Sequence, residues 1–396
     1  MKLLSVGAGS EQVPGILKAK QKGYYVIAID ANENAEGLSL ADEGYVLDIK
    51  LKDKILEFLE DKNIKGIIQS PIGRYLTTIG AINDKFNFKG ISEKSAILCT
   101  DKLKTNEVLT NHNISCAKQL LAKGKDDILN KIKKMGLPCV LKPRFGSGSK
   151  GVVVIENEYN IDFLIEEHLN FNIDDFTLVE SLLYGQEYAV DAIVINGMCK
   201  VILNKKKYMT KGFYRQEIGY LMTDNLNEQS KINIDNTMQK VATAIGLENC
   251  LVQADILIKD NKVSIIEISG RPTGLNISSK IIPLVTGIDY LGLGIDMILG
   301  EIKLSDIIIN YKKNTGYALY YLDIENKVVK LIPNLDYINS QENIIEYENN
   351  IKIGDALGEI KNGSDILNRG YIVVKSKNEE DGLKLLDDVK NQFKFM

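Results

Sequence analysis

The sequence predicts an α/β protein built from more than one domain, and three observations support this prediction. The chain has 396 residues, which is enough for two or three domains. Its first part alternates short apolar runs with helical patterns, which is typical of a parallel sheet. Two further motifs, at residues 140–152 and 253–271, each have the pattern of paired strands around a turn. We therefore expect a parallel-sheet domain, a larger α/β domain and a strand-rich C-terminal part.

The first predicted unit is a Rossmann-like βαβ segment. A short apolar run precedes a tight glycine turn at residues 7–9, and a helical pattern extends from Val13 to Gly23. The next strand, Tyr25 to Ile29, ends in Asp30. A glycine turn followed by an acid is also found in dinucleotide-binding proteins, but Gln12 occupies the place of their third glycine. NAD binding is therefore the minor alternative for this turn.

The motif at residues 140–152 predicts a hairpin with a glycine-rich tip. A Walker loop would need a lysine directly after Gly151 and then a helix, but Val152 and a β-branched run follow. The glycines would let backbone N–H groups approach phosphate oxygens closely. Lys142, on the entering strand, can supply a point charge to the same phosphates. An ordinary flexible hairpin with a lysine by chance is the alternative.

A second hairpin is predicted between Leu251 and Arg271. A three-residue loop at 260–262 would set Asp255 directly across from Glu267. Two carboxylates so placed repel each other unless a cation lies between them, and magnesium fits such a gap. Two solvated surface carboxylates are the alternative. Both residues lie inside apolar runs, however, where an unpaired charge is costly and therefore rare. Strict alternation on the return strand would place five side chains on one face: Val263, Ile265, Glu267, Ser269 and Arg271.

Composition agrees with a large enzyme of the cytoplasm. The net charge of −4 gives no basic field for nucleic acid, and no apolar stretch approaches the roughly 20 residues that span a bilayer. We therefore expect neither nucleic acid nor a membrane as a partner. The five cysteines lack paired spacing, so disulfides and zinc are not expected. The two histidines, His112 and His168, are too few for a histidine-based mechanism, and we expect both at exposed positions.

With both hairpin motifs the chain resembles the ATP-grasp superfamily, in particular the carboxylate–amine ligases and the related carbamoyl-phosphate-synthase-like and biotin-carboxylase-like proteins. The motifs arrive in the family's order, and the resemblance covers nearly the whole chain. It implies an ATP-grasp fold with an N-terminal Rossmann-like domain, a lid subdomain and a C-terminal α+β domain. The expected limits are 1–98, then 99–307 with the lid at about 115–182, and 308–396.

The resemblance also implies which residues contact ATP. Lys102 is similar to the family's first ATP-contacting lysine, and Lys142 to the second, which also acts in catalysis. The other implied contacts are Gly146, Ser147, Gly148 and Ser149 at the phosphates, Glu180, Leu182 and Leu183 at the adenine, and Glu187 at the ribose hydroxyls.

At the second hairpin the resemblance implies the metal site and a catalytic arginine. Asp255 and Glu267 match the two metal carboxylates, and Arg271 matches the arginine that stabilises the transferred phosphate and the acyl phosphate. Ser269 stands where most members have an asparagine ligand, so a second ion would be held partly through water. The implied cofactors are ATP and two Mg²⁺ ions, with Mn²⁺ as a substitute.

Four further residues are candidates for binding the substrate. In ATP-grasp enzymes the N-terminal domain helps to hold the non-nucleotide substrate, which makes Glu11 and Arg74 candidates. Arg74 as a helix cap is the alternative. Lys207 and Arg215 belong to a basic stretch at residues 204–219 that lies over the reaction centre in relatives. A solvated loop is the default interpretation of that stretch, and nucleic-acid binding is disfavoured by the acidic chain.

Three hypotheses about function follow. The first is a ligase that uses ATP to activate a small carboxylate as an acyl phosphate and couples it to an amine, working as a homodimer. The second is a carboxylase acting through carboxyphosphate, although no Met-Lys-Met biotin-carrier sequence occurs. The third is an ATP-binding module without catalysis, which only Ser269 supports.

Overall fold

The computed structural model describes residues 1–172, 175–222, 226–310, 316–376 and 378–396. The strands are β1 (Lys2–Val6), β2 (Tyr25–Asp30), β3 (Glu43–Val46), β4 (Ile64–Ile67), β5 (Gln119–Lys123), β6 (Cys139–Pro143), β7 (Val153–Ile155), β8 (Phe176–Ser181), β9 (Gln186–Ile195), β10 (Met198–Met209), β11 (Glu217–Met222), β12 (Cys250–Lys259), β13 (Lys262–Ser269), β14 (Gly316–Tyr321), β15 (Lys327–Leu331), β16 (Ile344–Asn349), β17 (Ala356–Leu357), β18 (Gly370–Ser376) and β19 (Lys394–Phe395).

The helices are α1 (Val13–Gln21), α2 (Glu36–Leu40), α3 (Lys52–Leu59), α4 (Leu76–Phe86), α5 (Glu93–Thr100), α6 (Lys102–Asn111), α7 (Gly124–Met135), α8 (Ile161–Phe171), α9 (Glu228–Ile245), α10 (Ile282–Thr286), α11 (Tyr290–Leu299), α12 (Leu335–Asn339), α13 (Gly363–Leu367) and α14 (Glu379–Lys390). A π-helical turn, Ile277–Ile281, leads into α10.

The N-terminal segment forms a parallel sheet in the order β3-β2-β1-β4. Leu4 and Ile27 are fully buried on one face, and Leu3 and Val26 on the other. Burial on both faces explains why these strands are continuous apolar runs. The predicted Rossmann-like arrangement is therefore confirmed.

The glycine turn of this sheet is closed by its own side chains. The Gln12 Oε1 atom accepts a hydrogen bond of 3.1 Å from the Gly9 amide, and Gln12 Nε2 donates one of 2.5 Å to the Pro71 carbonyl. The Asp30 carboxylate accepts a hydrogen bond of 2.8 Å from the Ala8 amide. Gln12 thus fills the place where a dinucleotide-binding turn would need a glycine.

A separate four-stranded antiparallel sheet, in the order β5-β8-β6-β7, carries α7 and α8 on a shared apolar core, and we call this sheet with its two helices the lid. Strands β6 and β7 pair from Cys139↔Ile155 to Leu141↔Val153, so the glycine-rich segment is the tip of a hairpin, as predicted. On α8, Leu164, Ile165 and His168 form the buried face. The expectation that His168 is exposed is wrong, because the helical period places it with the apolar residues.

The largest sheet has eight strands in the order β13-β12-β9-β10-β11-β14-β18-β16. Alternate residues of β12, such as Val252 and Ala254, are fully buried against the same core as Val241 and Ile245 of α9. The opposite face of β12 carries Gln253 and Asp255. Strands from the C-terminal part continue this sheet beyond β11, while β15, β17 and β19 form a small separate sheet.

Within the described ranges, no single helix has the length and apolar composition that a membrane span requires. One pair of helical segments, Ile277–Thr286 and Tyr290–Leu299, meets these criteria only when taken together, and the two are bent by 106°.

Candidate active site

A cleft of about 370 Å³ lies between the lid sheet and the large sheet. It brings together most of the residues that the sequence predicted for the site, although they come from six different segments of the chain. These are Lys102, Lys142, Gly146, Ser147, Gly148, Ser149, Glu180, Leu182, Leu183, Glu187, Lys207, Arg215, Asp255 and Glu267.

Asp255 on β12 pairs directly with Glu267 on β13, as the sequence predicted. The loop length and the strand register that produce this pairing differ from the prediction. The connecting loop has two residues, Asp260 and Asn261, both with left-handed backbone (φ +51° and +63°), where a three-residue loop was expected. Two consecutive left-handed residues are typical of a type I′ hairpin turn. A β-bulge then shifts the register between Asp255 and Ile256, and this shift brings Glu267 opposite Asp255.

The bulge also changes which side chains of β13 face the core, compared with the prediction. Val263 and Ile265 are buried in the same core as Ile268, three residues further on. Strict alternation would have placed Ile268 on the other face from Ile265. The expectation that Val263 and Ile265 share a face with Glu267 is therefore wrong, because the extra residue at the bulge reverses the alternation. Asp255 and Glu267 lie on the face of the hairpin that points away from this core.

The two carboxylates have lysine partners. Lys207 Nζ lies 2.9 Å from Asp255 Oδ2 and 3.0 Å from Glu217 Oε2, and only 4% of the Lys207 side chain is exposed. Lys102 Nζ lies 3.5 Å from Glu267 Oε1. Burial would lower the pKa of Lys207, but the Asp255 and Glu217 carboxylates outweigh it and raise this pKa. Lys207 is therefore a permanent cation beside the paired carboxylates.

Burial raises the pKa of Asp255 to about 6, and Lys207 opposes this shift. In Glu217 the balance is reversed: burial alone would raise its pKa, but Lys207 holds the pKa below its usual range. Within the described ranges no three His, Cys, Asp or Glu side chains come together as a metal-binding group. Two carboxylate oxygens from the protein nevertheless fit magnesium, which completes its shell with water and phosphate oxygens.

The opposite wall of the cleft is the glycine loop, which we define as residues 144–152. Several of its carbonyl groups accept hydrogen bonds from outside the loop: Lys102 Nζ donates to the Gly146 carbonyl (2.7 Å), and the Gly363 amide donates to the Gly148 carbonyl (3.0 Å). The amides of Ser147, Gly148 and Ser149 donate to no residue that the structure describes. The three consecutive amides at the tip are therefore suited to binding phosphate oxygens.

The entry to the glycine loop is fixed by helix α6. Asp101 caps the N-terminus of α6 and receives hydrogen bonds of 2.8 and 2.6 Å from the Arg144 guanidinium. This pairing holds the pKa of Asp101 below its usual value against the effect of burial. The Lys102 amide also donates to the Arg144 carbonyl (3.3 Å). Lys102 thus touches both walls of the cleft, through Gly146 and through Glu267.

The cleft also carries the residues predicted for the adenine and ribose, and one of them pairs with Lys142. Lys142 Nζ lies 2.7 Å from Glu180 Oε2, and Gln119 donates a hydrogen bond of 2.7 Å to the other oxygen of Glu180. Burial would lower the pKa of Lys142, but Glu180 outweighs it and raises this pKa. Glu187 is paired with the Arg215 guanidinium. These polar groups are therefore held in place before any nucleotide arrives.

Four predicted residues lie outside the lining of this cleft. Ser269 pairs with Gln253 and is buried, and Arg271 is close enough to Glu267 and Asp255 to feel their charge. Burial lowers the pKa of Arg271. Glu11 accepts two hydrogen bonds of 3.1 Å from the Leu275 amide, just beyond Arg271 in the chain. Arg74 is exposed, with its guanidinium 5.9 Å from the ring centre of Tyr75.

Sequence reasoning missed several charged residues of this region. Glu217 lines the cleft and pairs with Lys207, and its place at the start of the apolar strand β11 is the signal that could have found it. Asp191 and Lys205 form a fully buried ion pair in the same sheet. The Thr273 hydroxyl donates a hydrogen bond of 2.5 Å to Asp191 and so fastens the segment that follows Arg271.

Comparison with known proteins agrees with this geometry. Residues 135–280 match the family model of the ATP-grasp domain. A formate-dependent phosphoribosylglycinamide formyltransferase from Methanocaldococcus jannaschii is 22% identical over 293 residues, which cover 69% of this chain and 70% of that protein.

Two solved structures superpose over the whole chain. An L-amino acid ligase from Bacillus licheniformis has a TM-score of 0.83 and 17% identity, with 100% of this chain and 98% of the other covered. A phosphoribosylglycinamide synthetase from Anaerococcus prevotii has a TM-score of 0.73 and 24% identity, with coverage of 100% and 99%. The ATP-grasp match at residues 135–280 and the fold shared over the whole chain confirm the resemblance to the ATP-grasp superfamily that the sequence motifs indicated.

Proposed function

We propose that this protein is an ATP-dependent ligase that joins a small carboxylate to an amine and releases ADP and phosphate. The observation that supports it most is the pairing of Asp255 with Glu267 in a cleft whose other wall is the glycine loop. Such a cleft offers oxygen ligands to a cation on one side of a triphosphate and amide donors on the other. The related ligases named above agree with the proposal.

In the proposed reaction an oxygen of the substrate carboxylate attacks the γ-phosphorus of ATP. The bond between the γ-phosphorus and its bridging oxygen breaks, and ADP leaves. The amine nitrogen then attacks the acyl carbon of the acyl phosphate, the carbon–oxygen bond to phosphate breaks, and the amine loses a proton. The protein contributes position and charge to these steps and no covalent intermediate of its own.

Each group of side chains in the cleft has a proposed role that follows from its position. Lys142 and Lys102 would hold the phosphates, with the amides of residues 146–149. Glu180 with the backbone of Leu182 and Leu183 would read the adenine, and Glu187 the ribose. Arg271 would neutralise charge on the transferred phosphoryl group.

Asp255 and Glu267 would hold magnesium, which neutralises the charge of the triphosphate when it is bound. Ser269 would contribute through water to a second ion, and Mn²⁺ would replace Mg²⁺. Glu11, Arg74, Lys207 and Arg215 are proposed substrate contacts, and Lys207 among them touches Asp255. A homodimer in the cytoplasm, with domain limits at residues 98 and 307, completes the proposal.

The test is a survey of substrates with the purified full chain. ADP and phosphate release are measured with Mg-ATP and pairs drawn from amino acids, small carboxylates and amines, with bicarbonate as a separate arm. We expect ADP release that requires both a carboxylate and an amine. Release that depends on bicarbonate alone would favour the carboxylase instead. Binding of Mg-ATP with no release across the survey would contradict the ligase and favour a non-catalytic module.

A further inference from the structure

The exit of the glycine loop is fastened to helix α8 by a buried histidine. His168 is fully buried, and its Nδ1 atom lies 2.5 Å from the Gly151 carbonyl oxygen. Because a carbonyl oxygen can only accept, Nδ1 carries the proton and donates. Gly151 has left-handed backbone (φ +71°), and a Cβ atom there would lie 3.1 Å from Phe171 and from Pro143. The loop is therefore pressed closely against α8 at this point.

The other ring nitrogen of His168 is also engaged. Nε2 lies 2.7 Å from the Thr177 hydroxyl, and the Asn172 amide nitrogen lies 3.2 Å from the same hydroxyl oxygen. With Nδ1 protonated, Nε2 accepts the hydroxyl proton while Thr177 accepts from Asn172. The result is a directional chain of hydrogen bonds from Asn172 through Thr177 and His168 to Gly151. Burial lowers the pKa of His168, which is consistent with a neutral ring in this chain of bonds.

A buried histidine often has only a structural role, with both ring nitrogens hydrogen-bonded inside the core. His168 differs because its hydrogen-bond acceptor belongs to the glycine loop. The group it holds is a carbonyl of the glycine loop, in which the Gly146 and Gly148 carbonyls are also held, by Lys102 and by Gly363. Freed from His168, the peptide after Gly151 could rotate its carbonyl toward the cleft. A carbonyl oxygen facing a triphosphate would repel it, since both are negative.

We infer that His168 is a positioning residue for phosphate binding: through its hydrogen bond to Gly151 it fixes the exit of the glycine loop so that the loop amides face the triphosphate. This inference rests on the proposed use of the glycine loop for ATP. It assigns His168 no contact with the nucleotide. Its effect is therefore expected for a triphosphate, whose β- and γ-phosphates lie against the loop, and not for AMP, which lacks them.

The experiment compares two nucleotides by calorimetric titration: a non-hydrolysable ATP analogue with magnesium, and AMP. In the His168→Leu variant both polar contacts of the ring are lost. We expect affinity for the triphosphate to fall roughly fivefold to tenfold, the value of one lost hydrogen bond and its alignment. We expect affinity for AMP to stay within about twofold.

Conservative variants separate positioning from general stability. The amide nitrogen of Asn occupies the place of Nδ1, so His168→Asn should restore most triphosphate affinity, whereas His168→Gln, which reaches only toward Thr177, should not. Ile165→Val, in the same helix and the same core, removes a buried methylene and controls for weakening of the lid. It should affect both nucleotides equally or neither.

Should the leucine variant fail to fold, Thr177→Val keeps the shape of the side chain and removes the hydroxyl that fixes the tautomer. It should give a smaller loss that is still confined to the triphosphate. Equal losses for both nucleotides, no loss, or no difference between the Asn and Gln variants would overturn the inference while the proposed function stands. A wild-type protein that does not bind the magnesium–ATP analogue would contradict the proposed function itself, and the inference with it.

Discussion

The two walls of the cleft present their polar groups in opposite ways. On the large sheet, Asp255 and Glu267 are side chains fixed by neighbouring strands, and their place is set by the hairpin register and its bulge. On the lid, the glycine loop presents backbone amides, and three of its carbonyls accept hydrogen bonds from Lys102, Gly363 and His168. The sheet wall therefore contributes charged side chains to the cleft, whereas the loop wall contributes the shape of its backbone.

This difference predicts different responses to substitution. A charge placed on a strand is lost completely when its side chain is changed, and the strand stays where it is. A loop that binds through its backbone amides keeps those donors when a side chain is changed, so its binding weakens chiefly when its backbone or the groups that hold it change. We expect substitutions on the sheet wall to abolish turnover, and those on the loop wall to reduce nucleotide affinity by smaller factors.

The largest effect is expected for Glu267→Gln on the sheet wall. The amide keeps the shape of the side chain but removes one negative charge from the proposed metal site, so ATP turnover should fall roughly a thousandfold or more. The Glu267 side chain is 40% exposed, so thermal stability without nucleotide should be nearly unchanged. The stabilisation that Mg-ATP gives in a melting experiment should shrink.

Asp260→Asn, in the turn of the same hairpin, is the matched control for Glu267→Gln. It also removes one carboxylate, and asparagine tolerates the left-handed backbone found there. Its turnover should equal that of the wild type. Near wild-type turnover in Glu267→Gln with an active substrate pair would mean that this hairpin is scaffold only.

An intermediate effect is expected for Lys142→Gln, at the foot of the glycine loop. The variant removes a cation that we assign to the phosphates and leaves Glu180 with Gln119 as its hydrogen-bonding partner. The dissociation constant for Mg-ATP should rise roughly tenfold to a hundredfold. Titration calorimetry measures it, with Lys131→Gln on the lid helix α7 as a surface control. Equal affinities in both variants would remove Lys142 from the nucleotide site.

The smallest effect is expected for Gly148→Ala at the tip of the loop. Gly148 has φ +67° and open space where a Cβ would be, so alanine adds backbone strain of about 1 kcal/mol without a steric clash. Affinity for the ATP analogue should fall roughly fivefold, because the loop relaxes away from the shape that its tethers impose.

Gly124→Ala is the control for this strain. Gly124 lies in the same lid with φ +74° and equally open space, but it is at the start of α7 and away from the cleft. It should cost stability without changing affinity for the ATP analogue. If both alanine variants bind the analogue as the wild type does, the backbone shape of the glycine loop is not important for binding.

The sequence predicted the correct pairing on the sheet wall, although it predicted the wrong length for the hairpin loop. Asp255 was expected opposite Glu267, and it is, but the two-residue turn alone would have set Asp255 against Ile266. The bulge restored the pairing, and no glycine or other residue typical of a bulge occurs in the run Val263 to Ile266. Alternation rules assume an uninterrupted ladder, so they placed Val263 and Ile265 on the wrong face.

The loop wall was predicted as a hairpin tip but without its tethers. Glycine content indicates that amides can approach a ligand, whereas the contacts to Gly363 and His168 join segments far apart in the chain. His168 was expected at the surface because a polar residue was taken as exposed, and its spacing from Leu164 and Ile165 was the overlooked signal. The pairing of Lys207 with Glu217 is likewise a tertiary contact that local patterns do not encode.

The most direct test of the central claim is a crystal structure of the full chain with magnesium and a non-hydrolysable ATP analogue. The account predicts a magnesium ion within about 2.1 Å of carboxylate oxygens from both Asp255 and Glu267. It also predicts that amides of the glycine loop donate to phosphate oxygens on the other side of the same triphosphate. A metal held by other residues, or a triphosphate that lies outside the space between these two walls, would contradict it.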